Sequence, residues 1–321
     1  MSEGNLFYQE FMSVIRRKVP HRATLANAIT DLLDIDKDAV YRRLRGEVNF
    51  TFNEMALIAR NMGISLDSIA RIENKQSRPC QMNISRQVNP TAIDYEMFEG
   101  HVNLLKSIKD DPETLLHDAG NIFAHYLYQD YEYLTRFHLF RWNRASGFGD
   151  SRPFHEITIP ERLRNLQIET CQFARHIKLS YFTFDSFIFQ RLVTKIKFFA
   201  QIRLIKEEDV CLIKSDLMTF LHNLEKLAEK GKYEDTGNEV HLMISDISAD
   251  SNYSCLKTRN IKLTLFRTFL LNAIVSFDEV VYHETIAWIH SLQKMSSLIS
   301  FSGERLRTAF FDSQRKIIDT L

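Results

Sequence analysis

The sequence predicts a mainly α-helical protein, in which a small N-terminal helical domain precedes a larger helical domain. Glycine and proline are scarce, at 10 and 6 of 321 residues, and this favours long helices over glycine-rich nucleotide-binding folds or sandwiches with many turns. Hydrophobic residues make up 45% of the chain, so it has enough apolar surface to form an ordered core. The length exceeds that of a usual single domain and predicts two domains.

The charge and cysteine content exclude several classes of protein. The formal net charge is zero, with 41 basic and 41 acidic residues, so any affinity for nucleic acid has to come from a local surface. The four cysteines lie far apart without metal-ligand spacing, which argues against a zinc module or a disulfide frame. The N-terminus lacks signal-peptide features, and no apolar run is long enough to span a bilayer. We therefore expect a cytoplasmic protein without membrane association and without a cofactor.

Residues 1–75 are predicted to form five short helices. The first runs from Leu6 to Val19, where apolar residues recur at helical spacing, and it ends at Pro20. Thr24 is the predicted N-cap of the second helix. Apolar side chains of that helix form a single stripe that is expected to face the core: Leu25, Ala28, Ile29, Leu32 and Leu33.

A very short turn separates the second helix from the third. Asp34 interrupts the apolar stripe, and Asp36 can cap a helix that runs from Lys37 to about Arg45. Gly46 ends that helix, because glycine adopts the left-handed conformation at little cost.

The fourth helix has the clearest start in the chain. Thr51 and Glu54 have the spacing of a capping box, in which each side chain accepts a hydrogen bond from the other residue's backbone N–H. Gly63 ends this helix, and Ser65 is predicted to cap a short fifth helix that contains Ile69.

Residues 76–92 lack periodicity and are predicted to link domain 1–75 to domain 93–321. Candidate strands over 239–245 and 253–256 flank a turn-like cluster, and residues 261–265 alternate apolar with polar, which allows a small antiparallel sheet over about 239–266 in the second domain. The rest of that domain is predicted to be helical, over 93–116, 121–142, 159–177, 182–205, 207–230, 278–298 and 303–321.

Two runs of the first domain resemble a known family. A helix, a tight turn, a second helix and two supporting helices together present one helix to the major groove of DNA. The runs LDIDKDAVYRRLRG, at 33–46, and IARNMGISLD, at 58–67, resemble the helix-turn-helix domain of the Cro and phage-repressor (xenobiotic-response-element) superfamily. The resemblance covers residues 25–69 and implies a five-helix, lambda-repressor-like fold that binds DNA. Asp34 replaces the turn glycine that this family usually has.

Projection of the third helix at 100° per residue gives it two different faces. Val40 and Leu44 lie on the inner face, whereas the outer face has side chains that can bind bases or phosphates. The candidate DNA-binding residues are Lys37, Asp38, Tyr41, Arg42, Arg45, Asn49 and Thr51. The candidate phosphate contacts, at and after the end of the first helix, are Arg16, Arg17, Lys18 and Arg22. Arg43 projects toward the core and is expected to pair with Glu47 or Glu54.

These observations predict a sequence-specific transcription regulator that binds operator DNA as a homodimer through helix 37–45. The second domain would dimerise and is a candidate sensor of a small-molecule or peptide effector. Its aromatic residues between 123 and 142 fit either a packed core or an apolar pocket. A second hypothesis is a protein- or peptide-sensing helical adaptor whose helix-turn-helix-like module does not bind DNA. No complete catalytic motif occurs, so we do not expect an enzyme.

Overall fold

The computed structural model describes residues 3–64, 66–70, 78, 80–145, 152–249, 251–268 and 271–321. The chain divides into two compact units. The first unit comprises Met1–Gln81, Asn260–Leu263 and Ser276–His283, and the second comprises Met82–Arg259, Thr264–Val275 and Glu284–Leu321. Ser65, the predicted cap of the fifth helix, and residues 76, 77 and 79 of the predicted linker lie outside the described residues.

The N-terminal part of the first unit contains the helices that the sequence predicted. They are α1 (Glu3–Lys18), α2 (Arg22–Leu33), α3 (Lys37–Arg45), α4 (Phe52–Met62) and α5 (Leu66–Ala70). The predicted cap at Thr24 is wrong, because α2 begins at Arg22 with His21 at the N-cap position and without a side-chain cap bond. His21 and Thr24 are both exposed, so water can satisfy the first N–H groups of the helix without a side chain.

Side chains from all five helices form the core of this unit. Ile29 of α2 and Val40 of α3 are completely buried, so one face of each helix packs inside, but Ala28 of the predicted α2 stripe is exposed and Ala26 is buried instead. The other buried members of the cluster are Phe11, Met12, Ile15, Leu25, Ala26, Leu44, Phe50, Ile58, Ala59, Met62 and Ile69.

The remainder of the chain alternates helices with strands. Its helices are α6 (Ala92–Ser107), α7 (His125–Tyr128), α8 (Glu132–Ala145), α9 (Glu161–Ala174), α10 (Ile188–Gln201), α11 (Glu207–Lys230), α12 (Glu279–Lys294) and α13 (Glu304–Asp319). Its strands are β1 (Gln81–Asn83), β2 (Leu115–Gly120), β3 (Leu179–Asp185), β4 (Glu239–Ser245), β5 (Tyr253–Lys257), β6 (Lys262–Thr268), β7 (Asn272–Ser276) and β8 (Ser296–Leu298).

The predicted fold class, mainly α-helical with a small antiparallel sheet over about 239–266, is wrong. Within the described residues, eight strands form one sheet in the order β1-β7-β6-β5-β2-β3-β4-β8. Strands β2, β3 and β4 are parallel, whereas β5 runs antiparallel to β2 and β8 runs antiparallel to β4. The protein therefore combines a helical N-terminal domain with a large mixed sheet and its helices.

The prediction failed at β2 and β3 because both are buried strands. Leu115–Gly120 and Leu179–Asp185 are mostly buried along their whole length, so they lack the alternation of apolar and polar residues that marks a strand with one exposed face. Periodicity cannot distinguish such a short buried strand from a piece of buried helix. As a result, the start of the predicted helix 182–205 overlaps β3.

Helices connect the three parallel strands. The chain between β2 and β3 contains α7, α8 and α9, and the chain between β3 and β4 contains α10 and α11. Phe123 follows β2. The centre of its ring lies 4.8 Å from the ring centres of Phe189 and Phe220, and 5.1 Å from that of Phe184. Most of the aromatic side chains between 123 and 142 are thus packed in the core of the second unit.

None of the helices in the described part of the chain is long and apolar enough to cross a membrane.

Candidate nucleic-acid interface

The turn between α2 and α3 depends on the backbone conformation of Asp34. Its φ of 52° and ψ of 48° are left-handed, and its N–H donates to the Thr30 carbonyl at 3.0 Å. Aspartate is one of the few residues other than glycine that adopts this conformation with little strain. Asp34 therefore takes the place of the turn glycine. Asp36 is the N-cap residue of α3, as predicted, although its side chain makes no cap bond.

Both the inner face and the C-terminal end of α3 are fixed. Val40 and Leu44 are 0% and 4% exposed. Gly46, with a φ of 81°, ends the helix, as predicted. The Arg16 guanidinium of α1 donates from Nη2 to the Leu44 carbonyl at 2.8 Å, and a cation at this end also interacts favourably with the helix dipole.

A second network fixes α3 against the start of α4. Arg43 donates to both carboxylate oxygens of Glu54, from Nη2 at 2.9 Å and from Nε at 3.3 Å. The Thr51 N–H donates to Glu54 Oε2 at 2.7 Å, and the Glu54 N–H donates to Thr51 Oγ1 at 3.3 Å. The predicted capping box is thus confirmed, and so is the pairing of Arg43 with Glu54. Burial alone would raise the pKa of Glu54, but the hydrogen bonds from Thr51 and Arg43 hold it below its ordinary value.

We expect Arg43→Ala to lower the free energy of unfolding of the N-terminal domain by about 1–3 kcal/mol, because the half-buried Glu54 carboxylate loses its counter-ion and two hydrogen bonds. Hydrogen exchange of the α3 and α4 amides in the full chain measures this. Since folding lowers the pKa of Glu54, its contribution is present above the pKa of the unfolded state and is lost as the pH falls through the folded value. The difference in free energy of unfolding between the original protein and the Arg43→Ala variant should therefore shrink at acid pH.

The exposed Arg60 of α4 supplies the control for this experiment. Arg60→Ala should change the stability by less than about 0.5 kcal/mol. Equal protection of α3 and α4 in the Arg43→Ala variant and the original protein would contradict the structural role of the pair.

The outer face of α3 carries two exposed arginines that share one carboxylate. The side chains of Arg42 and Arg45 are 60% and 49% exposed. Glu47 Oε1 accepts a hydrogen bond from Arg45 Nε at 2.6 Å, and Glu47 Oε2 lies 3.6 Å from Arg42 Nε. The hydrogen bond raises the pKa of Arg45 and lowers that of Glu47. Glu47 therefore pairs with the two outer arginines and not with Arg43.

The other candidate DNA-binding residues lie around this pair. Tyr41 is half-buried, and the guanidinium carbon of Arg22 lies 5.8 Å from the centre of its ring. The remaining four are exposed, two in the first turn of α3 and two in and after the loop that follows it: Lys37, Asp38, Asn49 and Thr51.

The candidate phosphate contacts differ in their exposure and in the hydrogen bonds that they already make. Arg17 is exposed and donates to Glu10 Oε1 at 3.1 Å, whereas Arg16 already donates to the end of α3. Lys18 is half-buried, and burial lowers its pKa. Arg17 and Arg22 are thus better placed for a phosphate than Arg16 and Lys18.

Two functional features were missed from the sequence. Phe52, the first residue of α4, is 70% exposed and follows Thr51 directly, so an apolar group lies beside the polar candidates. At 100° per residue Phe52 falls about 20° from the buried Ala59, so the apolar pattern of α4 gave no signal of its exposure. Tyr8 of α1 accepts a hydrogen bond at its hydroxyl from the Phe50 N–H at 3.1 Å and so holds the loop between α3 and α4. This contact joins residues 42 positions apart, and local patterns do not reveal it.

Comparison with protein families gives a match for the N-terminal part of the chain. Residues 10–106 match the family model of the BetR domain, a DNA-binding-like N-terminal domain of transcription regulators. The matched range contains α2 to α5 and every candidate DNA-binding residue from Arg16 to Thr51, and it continues almost to the end of α6. No curated protein and no solved structure matches the chain.

Proposed function

We propose that the protein is a sequence-specific transcription regulator that reads operator DNA with the outer face of α3, in the manner of the Cro and phage-repressor superfamily. One observation carries the proposal. Val40 and Leu44 anchor one side of α3 in the core, while Arg42 and Arg45 on the other side are exposed. An anchored helix with a one-sided basic face is what insertion into the major groove requires.

Each of these arginines can recognise a base. An arginine guanidinium donates two hydrogen bonds to O6 and N7 of a guanine, the commonest specific contact in the major groove. Asp38, in the first turn of α3, can accept from a cytosine amino group, and the exposed Phe52 ring can pack against a thymine methyl group. On binding, bases and phosphates replace Glu47 as the partners of Arg42 and Arg45.

Phosphate contacts would set the position of α3 in the groove. Asn49 and Thr51 are exposed next to the N-terminus of α4, where backbone N–H groups and the helix dipole favour a phosphate. Arg22, which lies over the Tyr41 ring of α3, and the exposed Arg17 in the last turn of α1 supply further cations. These contacts carry no sequence information themselves, but they orient the helix that reads the bases.

We further propose that two copies bind together, because a single module contacts too few base pairs for tight specific binding. In this proposal the second unit holds the dimer together, and the protein acts in the cytoplasm without enzymatic activity. Two-fold symmetry of the protein predicts a palindromic operator whose half-sites lie about one helical turn apart.

Selection from a randomised duplex pool with the full chain tests this function. Enrichment of a palindrome is the expected result. Enrichment of an isolated half-site would support base reading but contradict the dimer. If no sequence is enriched, DNA reading is refuted in favour of the alternative hypothesis, an adaptor that senses a protein or peptide.

Glu47→Gln should raise the affinity for DNA about three-fold, because it removes a carboxylate that competes with DNA for Arg42 and Arg45. The gain should be largest at low salt, where charges are screened least. Fluorescence anisotropy with labelled operator measures it over a salt series. The matched control is Glu229→Gln at an exposed position of α11, which should leave the affinity unchanged. An unchanged or lower affinity of Glu47→Gln would place Glu47 away from the DNA.

A further inference from the structure

A cavity of about 670 Å³ lies in the second unit at the carboxyl ends of β2 and β3. Its wall includes Asn121 and Ile122, which follow β2, and the first two turns of α10, which follow β3. Ligands of open sheets with parallel strands bind in the crevice outside these strand ends. The volume is that of a typical small-molecule site.

The charged side chains in the wall are all cationic: Arg141, Arg191 and Lys195. Arg191 is already neutralised, because its Nη2 lies 2.7 Å from Oδ2 of the buried Asp185. Lys195 is exposed at the rim. No carboxylate belongs to the described wall, so Arg141 and Lys195 leave the cavity with an excess of positive charge.

Among the described residues, no carboxylate pairs with Arg141. Its guanidinium lies 5.8 Å from the centre of the Phe137 ring, and burial lowers its pKa without an aspartate or glutamate to oppose this effect. An arginine remains protonated in a protein even so. A largely buried cation without an anionic partner in the described part of the chain is costly, and a bound anion would remove that cost.

A second polar group in the wall is also without a partner. His138 is 6% exposed, and its Nε2 has no hydrogen-bond partner among the described residues. The ring stacks on Tyr128 at 4.3 Å, and burial keeps its pKa well below the ordinary value, so the imidazole is neutral. A neutral imidazole can donate or accept one hydrogen bond to a ligand.

The rest of the wall is apolar. Ile122, Phe123, Ile188 and Leu192 line the interior, and the ring of Phe187 is 53% exposed. The first turn of α10 also belongs to the wall, and the Phe187 N–H at its start already donates to Oδ1 of the buried Asp185 at 2.8 Å. The cavity thus joins an anion-binding end to an apolar surface.

We propose that this cavity binds a small organic anion whose carboxylate or phosphate pairs with Arg141 and whose apolar body lies against Ile122, Phe123 and Leu192. This site goes beyond the proposed DNA reading and does not depend on it, since it lies entirely within the second unit. It supplies a binding site for an effector of the small-molecule class.

Isothermal titration calorimetry of the full chain, without DNA, tests the site with three eight-carbon probes: octanoate, octyl phosphate and octanamide. We expect at least one of the two anions to bind, and the neutral octanamide to bind about ten-fold more weakly, as expected for loss of a charge-assisted hydrogen bond. The stronger of the two anions identifies the headgroup as carboxylate or phosphate.

Variants locate the bound anion. Arg141→Gln should weaken the anion about ten-fold, Arg141→Lys should restore part of the affinity, and Lys195→Gln should weaken it about three-fold. Lys195 is exposed, so its variant keeps the test valid even if Arg141→Gln fails to fold. The control Lys226→Gln, at an exposed position of α11 outside this cavity, should bind like the original protein.

Three results would overturn the proposal. One is equal binding of octanoate, octyl phosphate and octanamide, because the site would then not select charge. Another is undiminished anion affinity in both Arg141→Gln and Lys195→Gln. The third is a Kd weaker than about 1 mM for every probe, which corresponds to about 4 kcal/mol of binding free energy and is too weak for an effector site.

Discussion

Replacing Arg42 and Arg45 together with alanine is expected to lower the affinity about 100-fold for each half-site of the selected operator, since each good arginine–base contact contributes about ten-fold. The preference for the operator over random DNA should fall as well, because base contacts carry the sequence information. Both side chains are exposed, and within the described part of the chain Glu47 is the one ion-pair partner of each, so their removal should leave the fold intact. Anisotropy titrations with operator and random duplexes measure both effects.

The matched control for this double variant is an arginine outside the proposed interface. Arg305→Ala, at an exposed position of α13, removes one positive charge without touching α3. It should preserve both the affinity and the operator preference. If the double variant lost affinity equally for all sequences, Arg42 and Arg45 would be phosphate contacts. If it lost none, α3 would not be the reading helix.

Leu44→Ala is expected to lower the free energy of unfolding of the N-terminal domain by about 2–5 kcal/mol, as for other large-to-small substitutions in a packed core. Leu44 is 4% exposed on the inner face of α3, and its carbonyl accepts the hydrogen bond from Arg16. A cavity beneath this residue would loosen the helix that presents the two arginines. Hydrogen exchange of the α3 and α4 amides in the full chain measures the loss.

Leu57→Ala is the appropriate comparison, because Leu57 lies on the neighbouring helix α4 but is 46% exposed. Leu57→Ala should lower the free energy of unfolding by well under 1 kcal/mol, since little buried surface is lost. Similar costs for the two leucines would show that α3 is not held by its inner face, and the argument for the outer arginines would lose its basis.

The features of the candidate interface that could be predicted depend on residues close together in the chain. The Thr51 and Glu54 capping box involves positions three apart, and Gly46 and Gly63 end their helices through their own left-handed conformations. The pairing of Arg43 was predicted only as a choice between Glu47 and Glu54. The structure decides for Glu54 because Arg43 points inward, whereas Glu47 follows the outer arginines.

The sheet of the second unit was largely missed because its pairing is not local. The predicted strand over 239–245 exists as β4, but its partner β3 lies 60 residues earlier, with Leu179 opposite Glu239. Strand β2 pairs with β3 at a separation of 64 residues, with Leu115 opposite Leu179. A buried strand is specified by the hydrogen bonds and side chains of its neighbours, and its own sequence resembles that of a buried helix.

Local sequence is enough to specify the helical N-terminal domain, the turn before α3, both capped ends of α4 and the exposed arginines on the outer face of α3. All of these follow from backbone preferences and hydrogen bonds within a few residues. Long-range packing is needed to form the eight-stranded mixed sheet, to select the partner of each charge around α3, and to bring Arg141 and His138 into one cavity. These depend on contacts between segments that are distant in the chain, and such contacts form only when the apolar faces of those segments pack.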